Sequence, residues 1–352
     1  MQVDYLIVGQ GMCGTMLSWF LYKEGKSFLV IDDANEDSAS KIAAGIINPV
    51  TGRRYAYTWM IEELMDFALE TYKEIENHLD SKYIFEKSII DFFPSPQMRN
   101  AFIERLSEND TYLHSFPDQN HFNQYFNYDF GCGQIKPAYI VHVQELMSSW
   151  RKNLTEAKSI QQENFEINEF KFSEDGICYR NITARKVIFC DGVNSIKYPF
   201  FQLLPFAPNK GEALIIESEE LTNQHIFKKG LMLAPLAEKD MFWLGSNYQW
   251  EFTDDQPSET FYKHASAVLN GWLKKSYKIV THKAAVRPAT LERRPFVGFH
   301  PRYQNVGILN GMGTKGTSLA PFFAHQLTQH MVYNLPISPE ADIQRFSRIL
   351  SK

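Results

Sequence analysis

The stretch that decides the fold runs from Val3 to Asp33 and reads VDYLIVGQGMCGTMLSWFLYKEGKSFLVIDD. An almost continuous apolar run, DYLIVG, ends at Gly9 and predicts a strand that is buried on both faces of a parallel sheet. Apolar residues at helical spacing then predict a helix that begins near Gly11 and closes at Gly25. A second apolar run, SFLVI, predicts another buried strand, which ends in two aspartates.

A glycine motif, GQGMCG, joins the first strand to the helix. Gly9 permits a tight turn, Gly11 lets the backbone approach a pyrophosphate, and Gly14 lets the helix pack closely on the strand. The helix N-terminus faces the phosphates, and an acid at the end of the second strand accepts hydrogen bonds from ribose hydroxyls. This order of features predicts a dinucleotide site, against the alternative of a purely structural glycine turn. The expected contacts are Gly9, Gly11, Met12, Cys13, Gly14, Asp32 and Asp33, with Asp32 favoured as the ribose ligand.

Length and composition describe an ordinary soluble globular protein. The chain has 352 residues, of which 44% are hydrophobic and 22% charged, so two domains or one elaborated fold are expected. The formal net charge of −5, without any run of Lys and Arg, argues against nucleic-acid binding, although a local basic patch stays open.

The four cysteines are scattered, with no C-x-x-C pair, so we expect neither a metal site nor a disulfide framework. Reduced thiols fit a cytoplasmic location. The N-terminus enters a strand almost at once, without a basic segment followed by a cleavable apolar one, and no apolar run approaches about 18 residues. The expectation is a protein that is neither exported nor membrane-spanning.

The segment after the second strand bears on the choice between NAD(P) and FAD. An NAD dehydrogenase usually continues with more βαβ units, whereas Ser38 to Pro49 here is a loop of small residues. Small side chains let backbone N–H groups approach a bulky flat ligand, and Ser40 can donate to a phosphate. A plain surface loop is the alternative. The expected contacts are Ser40, Ala44, Gly45 and Ile46.

Two later segments favour FAD. KVIFCDG, ending at Gly192, predicts a further buried strand that brings a backbone turn near the cofactor. Another strand, Val306 to Leu309, leads into a glycine-rich loop and a helix from about Ser318 to Asn334. The positive end of that helix suits a flavin, whose reduced form carries negative charge. The expected contacts are Gly192, Gly311, Met312, Gly313, Thr314, Lys315, Gly316 and Thr317.

Six motifs in order carry a resemblance to a known family. They are GQGMCG with Asp32, AAGIINP, KGEALII, the APL and FWLGSNY segment, RPATLERRPFVG and GMGTKGTSLAP. Together they resemble the D-amino acid oxidase family of FAD-dependent oxidoreductases, of the glycine oxidase and sarcosine oxidase types, from Val3 to about Met331. The sequence departs from the family's motifs at two positions, and both changes are mild for the fold. The family's Ala-x-Gly turn reads Cys190-Asp191-Gly192 here, and the acid of its R-P-x-T-x-D-x-x-P pattern is Glu292.

The resemblance implies an α/β fold. A Rossmann-like FAD-binding domain (GR2 type) would carry an inserted antiparallel α+β substrate-binding domain. We expect the FAD-binding domain in residues 1–80, 138–202 and 281–352, and the substrate-binding domain in residues 81–137 and 203–280.

The resemblance also implies the chemistry, which is oxidation of a small amino acid or secondary amine at its C–N bond by hydride transfer to flavin N5. Arg287 is the expected clamp for the substrate carboxylate, since guanidinium pairs bidentately with carboxylate. The alternative is a structural arginine paired with Glu292. Some members of the family attach the flavin covalently to a cysteine in the segments that correspond to Arg287 and to Gly311–Pro321. Neither segment contains a cysteine here, so FAD is expected to be noncovalent.

Three further residues are candidates for the catalytic site, each with a structural alternative. Tyr248 could contact substrate or lie in the core, and Asn48 could reach the site or cap the turn at Pro49. Lys315 could stabilise reduced flavin or assist oxygen activation, or be an exposed loop lysine.

Two other functions stay open at this stage. The chain could be an oxidase module acting on a modified macromolecule such as tRNA, or a flavin-binding electron carrier without turnover of its own. A small-molecule amine or amino acid is the expected partner, with oxygen or a quinone as electron acceptor.

Overall fold

Two large β-sheets form the framework of the structure, a computed structural model that describes residues 1–108 and 111–351. The strands are β1 (Gln2–Val8), β2 (Phe28–Asp32), β3 (Ile46–Ile47), β4 (Val50–Thr51), β5 (Ala56–Tyr57), β6 (Ile84–Phe92), β7 (Leu113–Ser115), β8 (Cys132–Val141), β9 (Ile160–Gln162), β10 (Phe170–Ser173), β11 (Gly176–Tyr179), β12 (Ile182–Phe189), β13 (Asn209–Glu217), β14 (His225–Lys229), β15 (Leu231–Pro235), β16 (Met241–Gly245), β17 (Lys278–Arg287), β18 (Phe296–Phe299) and β19 (Val306–Asn310). The α-helices are α1 (Met12–Lys23), α2 (Ala39–Ile42), α3 (Ile61–Leu79), α4 (Pro96–Ser107), α5 (Val143–Glu156), α6 (Glu259–Trp272), α7 (Gly316–Tyr333) and α8 (Ser347–Leu350). Short 3₁₀ helices occupy His121–Gln124, Ile167–Glu169, Gly192–Lys197 and Ile343–Phe346.

The first sheet has eight strands and a parallel centre in the order β9-β2-β1-β12-β19. The β18 strand and the β10–β11 hairpin extend it in the antiparallel sense. Leu6 and Ile7 are adjacent residues of β1, so they point to opposite faces of this sheet, and both are fully buried. Strand β1 is therefore covered on both faces, as its apolar sequence predicts. The predicted Rossmann-like arrangement of β1, α1 and β2 is confirmed.

Helix α1 is buried along nearly its whole length, because it lies between the first sheet and other helices. It packs against α7, and its Trp19 ring meets Trp150 of α5 edge-on. The Glu24 N–H closes the last turn on the Phe20 carbonyl, and Gly25 follows with φ +63°, in the left-handed region that favours glycine.

Helix α7 begins two residues earlier than the predicted Ser318, which puts Pro321 in its second turn. A proline there has no N–H to give to the carbonyl four residues back, that of Thr317. The Tyr72 hydroxyl of α3 donates to that carbonyl at 2.7 Å instead. The bond satisfies the carbonyl and joins α3 to the first turn of α7.

The second sheet has nine strands, in the order β17-β13-β16-β15-β14-β6-β8-β3, with β7 beside β8. Its pairs are antiparallel except for β14 and β6, which run parallel. Two strands cross the domain boundaries expected from the sequence, since β8 runs through residue 138 and β17 through residue 281. The division into domains stays a prediction, but the second sheet extends at least to Arg287.

The loop after β2 bridges the two sheets. It contains α2 and β3, and β3 pairs with β8 of the second sheet. The Trp243 indole of β16 donates to the Ile42 carbonyl at 2.9 Å. Within the described ranges, none of the helices combines the length and the apolar character that a membrane crossing requires.

Candidate cofactor and substrate site

A cavity of about 1110 Å³ lies between the two sheets, at the carboxyl ends of β1, β2 and β12. Pockets for small ligands usually measure about 300 to 1,000 Å³, so this one has room for a dinucleotide and a small molecule. All four predicted catalytic residues line it: Asn48, Tyr248, Arg287 and Lys315. The predicted cofactor contacts that line it are Gly9, Gly11, Met12, Cys13, Asp32, Asp33, Ser40, Ala44, Gly45, Ile46, Gly192, Met312, Gly313, Thr314, Lys315, Gly316 and Thr317.

Two predicted cofactor contacts, Gly14 and Gly311, do not line the cavity. A Cβ on Gly14 would lie 1.9 Å from the Gly9 carbonyl oxygen, so this glycine lets α1 pack on the turn before it. Gly311 has φ +80°, and a Cβ there would lie 2.7 Å from the Thr290 side chain. Both glycines pack behind the cavity wall, and a contact with the cofactor stays a prediction for each.

The N-terminus of α1 forms one end of the cavity. Gly9 has φ +93°, and a Cβ on it would lie 2.7 Å from the Asp191 Cα. The N–H groups of Gly11 and Cys13 have no hydrogen-bond partner among the described residues, and the Met12 N–H donates to Ser40 Oγ at 3.1 Å. Free N–H groups and the positive end of a helix suit an anion such as a pyrophosphate.

Asp32 lies beside this helix end with both carboxylate oxygens engaged. Its Oδ2 accepts from the Gln10 N–H at 2.7 Å, and its Oδ1 accepts from the Ala34 N–H at 2.9 Å and from Arg151 at 2.6 Å. Asp33 instead accepts from the Asn35 N–H, within its own loop. The sequence analysis missed Arg151, because it lies on α5 and no local pattern connects it to Asp32.

The loop before α7 forms another wall of the cavity. Gly316 and Thr317 open the helix with N–H groups that have no partner in the described part of the chain. The Lys315 ammonium likewise makes no hydrogen bond or ion pair with the described residues. Burial lowers the pKa of Lys315, and the nearby Arg294 and Arg293 lower it further. The Lys315 residue is only partly exposed in the structure, so the alternative of an exposed loop lysine is wrong.

Arg287 lies at the end of β17 and is held by neutral acceptors. Its Nη1 donates to Asn209 Oδ1 at 2.7 Å and to the Asn247 carbonyl at 3.3 Å, and its Nη2 donates to Ser246 Oγ at 2.7 Å. The guanidinium carbon lies 5.1 Å from the centre of the Tyr248 ring. None of the acidic groups that the structure describes pairs with it, and burial lowers its pKa.

The structural alternative for Arg287 is wrong, because Glu292 accepts from Arg345 at 3.2 Å. The packing around Arg287 is tight on one side. A Cβ on Gly211 would lie 1.7 Å from Nη2, so the guanidinium rests against the bare backbone of β13.

The structure excludes the core alternative for Tyr248 and is compatible with both alternatives for Asn48. Tyr248 is 60% exposed, so it is not a core tyrosine. Asn48 caps its own turn, accepting from the Val50 N–H at 3.1 Å, and also lines the cavity.

Two thiols and one carboxyl group complete the polar lining near α1. Burial raises the pKa of Cys13 to about 12 and also raises that of Cys190. Asp191 accepts from the Ser195 hydroxyl through Oδ1, while its Oδ2 is shielded from solvent and has no partner among the described residues. Burial raises the pKa of Asp191 to about 6.

Comparison with known proteins identifies the family. The sequence matches the family model of the DAO group, FAD dependent oxidoreductase, over residues 4–330. The chain belongs to this family. The oxidoreductase is therefore an FAD-dependent enzyme, and the predicted family, enzyme class and fold class are confirmed.

Solved structures of similar fold cover nearly the whole oxidoreductase. Glycine oxidase from Geobacillus kaustophilus has a TM-score of 0.78 at 15% identity, with 98% of each chain covered. Iminodiacetate oxidase from Chelativorans sp. BNC1 gives the same values. L-proline dehydrogenase from P. horikoshii has a TM-score of 0.75 at 14% identity, covering 99% of this chain and 98% of the other. At these identities the likeness is one of fold.

The residues of the oxidoreductase fit FAD. The cavity volume suits a dinucleotide, and two helix N-termini with free N–H groups reach it from different sides. The turn at Gly9 keeps its positive φ and has no room for a Cβ. The helix α1 end and Asp32 would hold the pyrophosphate and ribose, and the α7 end would lie near the flavin ring.

Proposed function

We propose that the oxidoreductase oxidises the C–N bond of a small amino acid or secondary amine that carries a carboxylate, using noncovalently bound FAD. One observation carries the proposal. Arg287 presents a partly buried guanidinium, unpaired with any acidic group in the described part of the chain, to the same cavity that two helix N-termini line. A charged group held only by neutral acceptors is primed for a ligand of opposite charge.

Arg287 would bind the substrate carboxylate and fix its orientation. A guanidinium offers parallel N–H groups that match the two oxygens of a carboxylate. Asn209, Ser246 and the Asn247 carbonyl already fix the plane of the guanidinium, so little reorganisation is needed on binding. Tyr248 stacks on its face and, with Asn48, borders the space that the rest of the substrate would occupy.

Bound FAD supplies the acceptor for the hydride that leaves the carbon next to the amine nitrogen. The chain's own residues orient the substrate and set the local charge. Lys315 and the positive end of α7 would stabilise negative charge on that side of the cavity. The raised thiol pKa values of Cys13 and Cys190 keep the two cysteines in the cavity protonated, which supports noncovalent binding.

Anaerobic titration tests this function. Purified holoenzyme would be mixed with glycine, sarcosine, L-proline and D-alanine, and we expect at least one to bleach the flavin absorbance band. Reoxidation by oxygen or by a quinone analogue would then identify the acceptor. Failure of all such amines, together with salt-sensitive RNA binding, would favour the macromolecular substrate instead.

A variant pair tests the clamp. Arg287→Ala is expected to lower kcat/KM for the bleaching substrate by at least about thirtyfold, or about 2 kcal/mol in the barrier. Arg54→Ala removes an exposed arginine from the β4–β5 hairpin and should leave kcat/KM unchanged. A smaller effect of Arg287→Ala would show that the carboxylate binds elsewhere.

A further inference from the structure

A buried carboxylate lies behind the proposed clamp. Glu212 of β13 is 1% exposed, and three donors reach its oxygens. Its Oε1 accepts from Asn247 Nδ2 at 3.0 Å and from Ser258 Oγ at 2.8 Å, and its Oε2 accepts from the Ser258 N–H at 2.6 Å. His282 Nε2 lies 3.1 Å from Oε2.

Glu212 and Arg287 lie on opposite faces of the β13–β17 pair. Asn209 is the cross-strand partner of Arg287, whereas Glu212 is opposite Ala284, three positions along. Because side chains alternate between faces, an odd offset places the Glu212 carboxylate and the guanidinium on different sides of the sheet. The two groups therefore make no direct hydrogen bond, and a positional effect of Glu212 on the clamp passes through another residue.

Asn247 is that residue. Its side chain bonds Glu212 twice, accepting from the Glu212 N–H at 2.8 Å and donating to Oε1. Its backbone carbonyl accepts from Arg287, while the residues on either side, Ser246 and Tyr248, hold the guanidinium by a hydrogen bond and by stacking. The segment 246–248 is thus attached to Glu212 at its centre and to Arg287 along its length.

We propose that Glu212 is a positioning residue: through Asn247 it fixes segment 246–248 and thereby the orientation of the Arg287 guanidinium. The proposal rests on the proposed function, in which Arg287 binds a carboxylate. No charged group in the described ranges pairs with Arg287, so its orientation depends on neutral contacts, which Asn209 and segment 246–248 supply. A displacement of about 1 Å in such a clamp is enough to lower activity strongly.

The alternative role for Glu212 is purely structural and concerns the N-terminus of α6. Ser258 is the N-cap of α6, accepting from the Phe261 N–H at 3.2 Å, and Glu212 holds Ser258 in place. If that were all, loss of Glu212 would destabilise α6 without a specific effect on carboxylate binding. The paired bonds to Asn247 have no part in the helix cap.

The experiment compares four variants of the FAD-loaded protein: Glu212→Gln, Asn247→Ala, Ser258→Ala and Arg287→Ala. Methoxyacetate is the probe, with 2-methoxyethanol as its uncharged counterpart, and binding is read from the shift of the flavin spectrum. Glu212→Gln is expected to raise the Kd of methoxyacetate about tenfold, with FAD affinity and the response to 2-methoxyethanol unchanged. KM for the bleaching amine should rise more than kcat falls.

The other variants separate the possible outcomes. Asn247→Ala leaves Glu212 and the α6 cap in place, so it should give the same rise in Kd even if Glu212→Gln folds poorly. The double variant Glu212→Gln/Asn247→Ala should raise the Kd of methoxyacetate little more than either single substitution does, because both substitutions break the same connection. Ser258→Ala should lower Tm but change the Kd less than about twofold.

Two results would overturn the inference. If Glu212→Gln and Asn247→Ala both bind methoxyacetate as wild type does while Arg287→Ala loses it, Glu212 is structural and the clamp stands. If Arg287→Ala also binds methoxyacetate normally, the clamp itself is wrong, and the role of Glu212 falls with it.

Discussion

The two ends of the cavity are built in different ways. At the α1 end, the contacts come from backbone groups of contiguous residues, and the turn at Gly9 depends on its positive φ. At the Arg287 end, the contacts are the Asn209 and Ser246 side chains and the Asn247 carbonyl, brought together by pairing of β13 with β16 and β17. The first end is therefore sensitive to any added Cβ, and the second to the positions of a few polar side chains.

The largest effect is expected at the backbone-built end. Gly14→Ala would place a methyl group 1.9 Å from the Gly9 carbonyl and push α1 off the turn. We expect purified protein without flavin and an FAD affinity at least about a thousandfold lower, measured by reconstitution of the apoprotein. Gly271→Ala in α6 is the control, since nothing lies within 4 Å of its added Cβ and the flavin content should be normal.

Gly211→Ala is expected to give the opposite pattern at the other end. Its Cβ would lie 1.7 Å from Arg287 Nη2 and displace the guanidinium, while the α1 turn is untouched. The variant should keep its flavin but bind methoxyacetate about a hundredfold more weakly. Spectral titration of the holoenzyme measures both quantities, and simultaneous loss of flavin would show that the two ends are not independent.

A smaller effect tests the ion pair between Arg151 and Asp32 at the backbone-built end. Arg151→Met removes the partner of Asp32 and frees the carboxylate to move. FAD affinity should fall about tenfold, measured by quenching of flavin fluorescence. Lys23→Met, which removes a surface pair with Glu74, should leave it unchanged. Equal effects of the two substitutions would count against a role for Arg151 in holding Asp32.

The smallest effect concerns the pH dependence of stability. The folded state raises the pKa of Asp191 from 3.8 to about 6, so it binds this proton more tightly than the unfolded chain does. Wild type should therefore lose stability as pH rises through this window, whereas Asp191→Asn should not. Between pH 5 and pH 7.5 we expect the variant to gain about 1 kcal/mol relative to wild type, measured by urea unfolding of the apoprotein. A constant difference across this range would contradict the raised pKa.

The same contrast explains what the sequence could and could not predict. The order of β1, the glycine turn, α1 and β2 is local, so periodicity and glycine spacing located the cavity wall near Asp32. Arg287 and Tyr248 are predicted by the family resemblance, and Asn48 and Lys315 by the loops that contain them; the structure places all four on one cavity. Local patterns did not predict the partners Asn209, Ser246 and Arg151, because strand register and helix packing alone bring them close.

The position of β1 in the first sheet also governs how the molecule can be made. In chain order β1 comes well before its partner on one edge, β12, with Gln2 opposite Thr183 and Val8 opposite Phe189. A nascent chain in which β12 has not yet been made thus exposes an unpaired apolar edge, an arrangement prone to intermolecular association. Ribosome-bound intermediates should consequently depend on chaperones, and attempts to express the amino-terminal half alone as a minimal nucleotide-binding fragment should yield inclusion bodies.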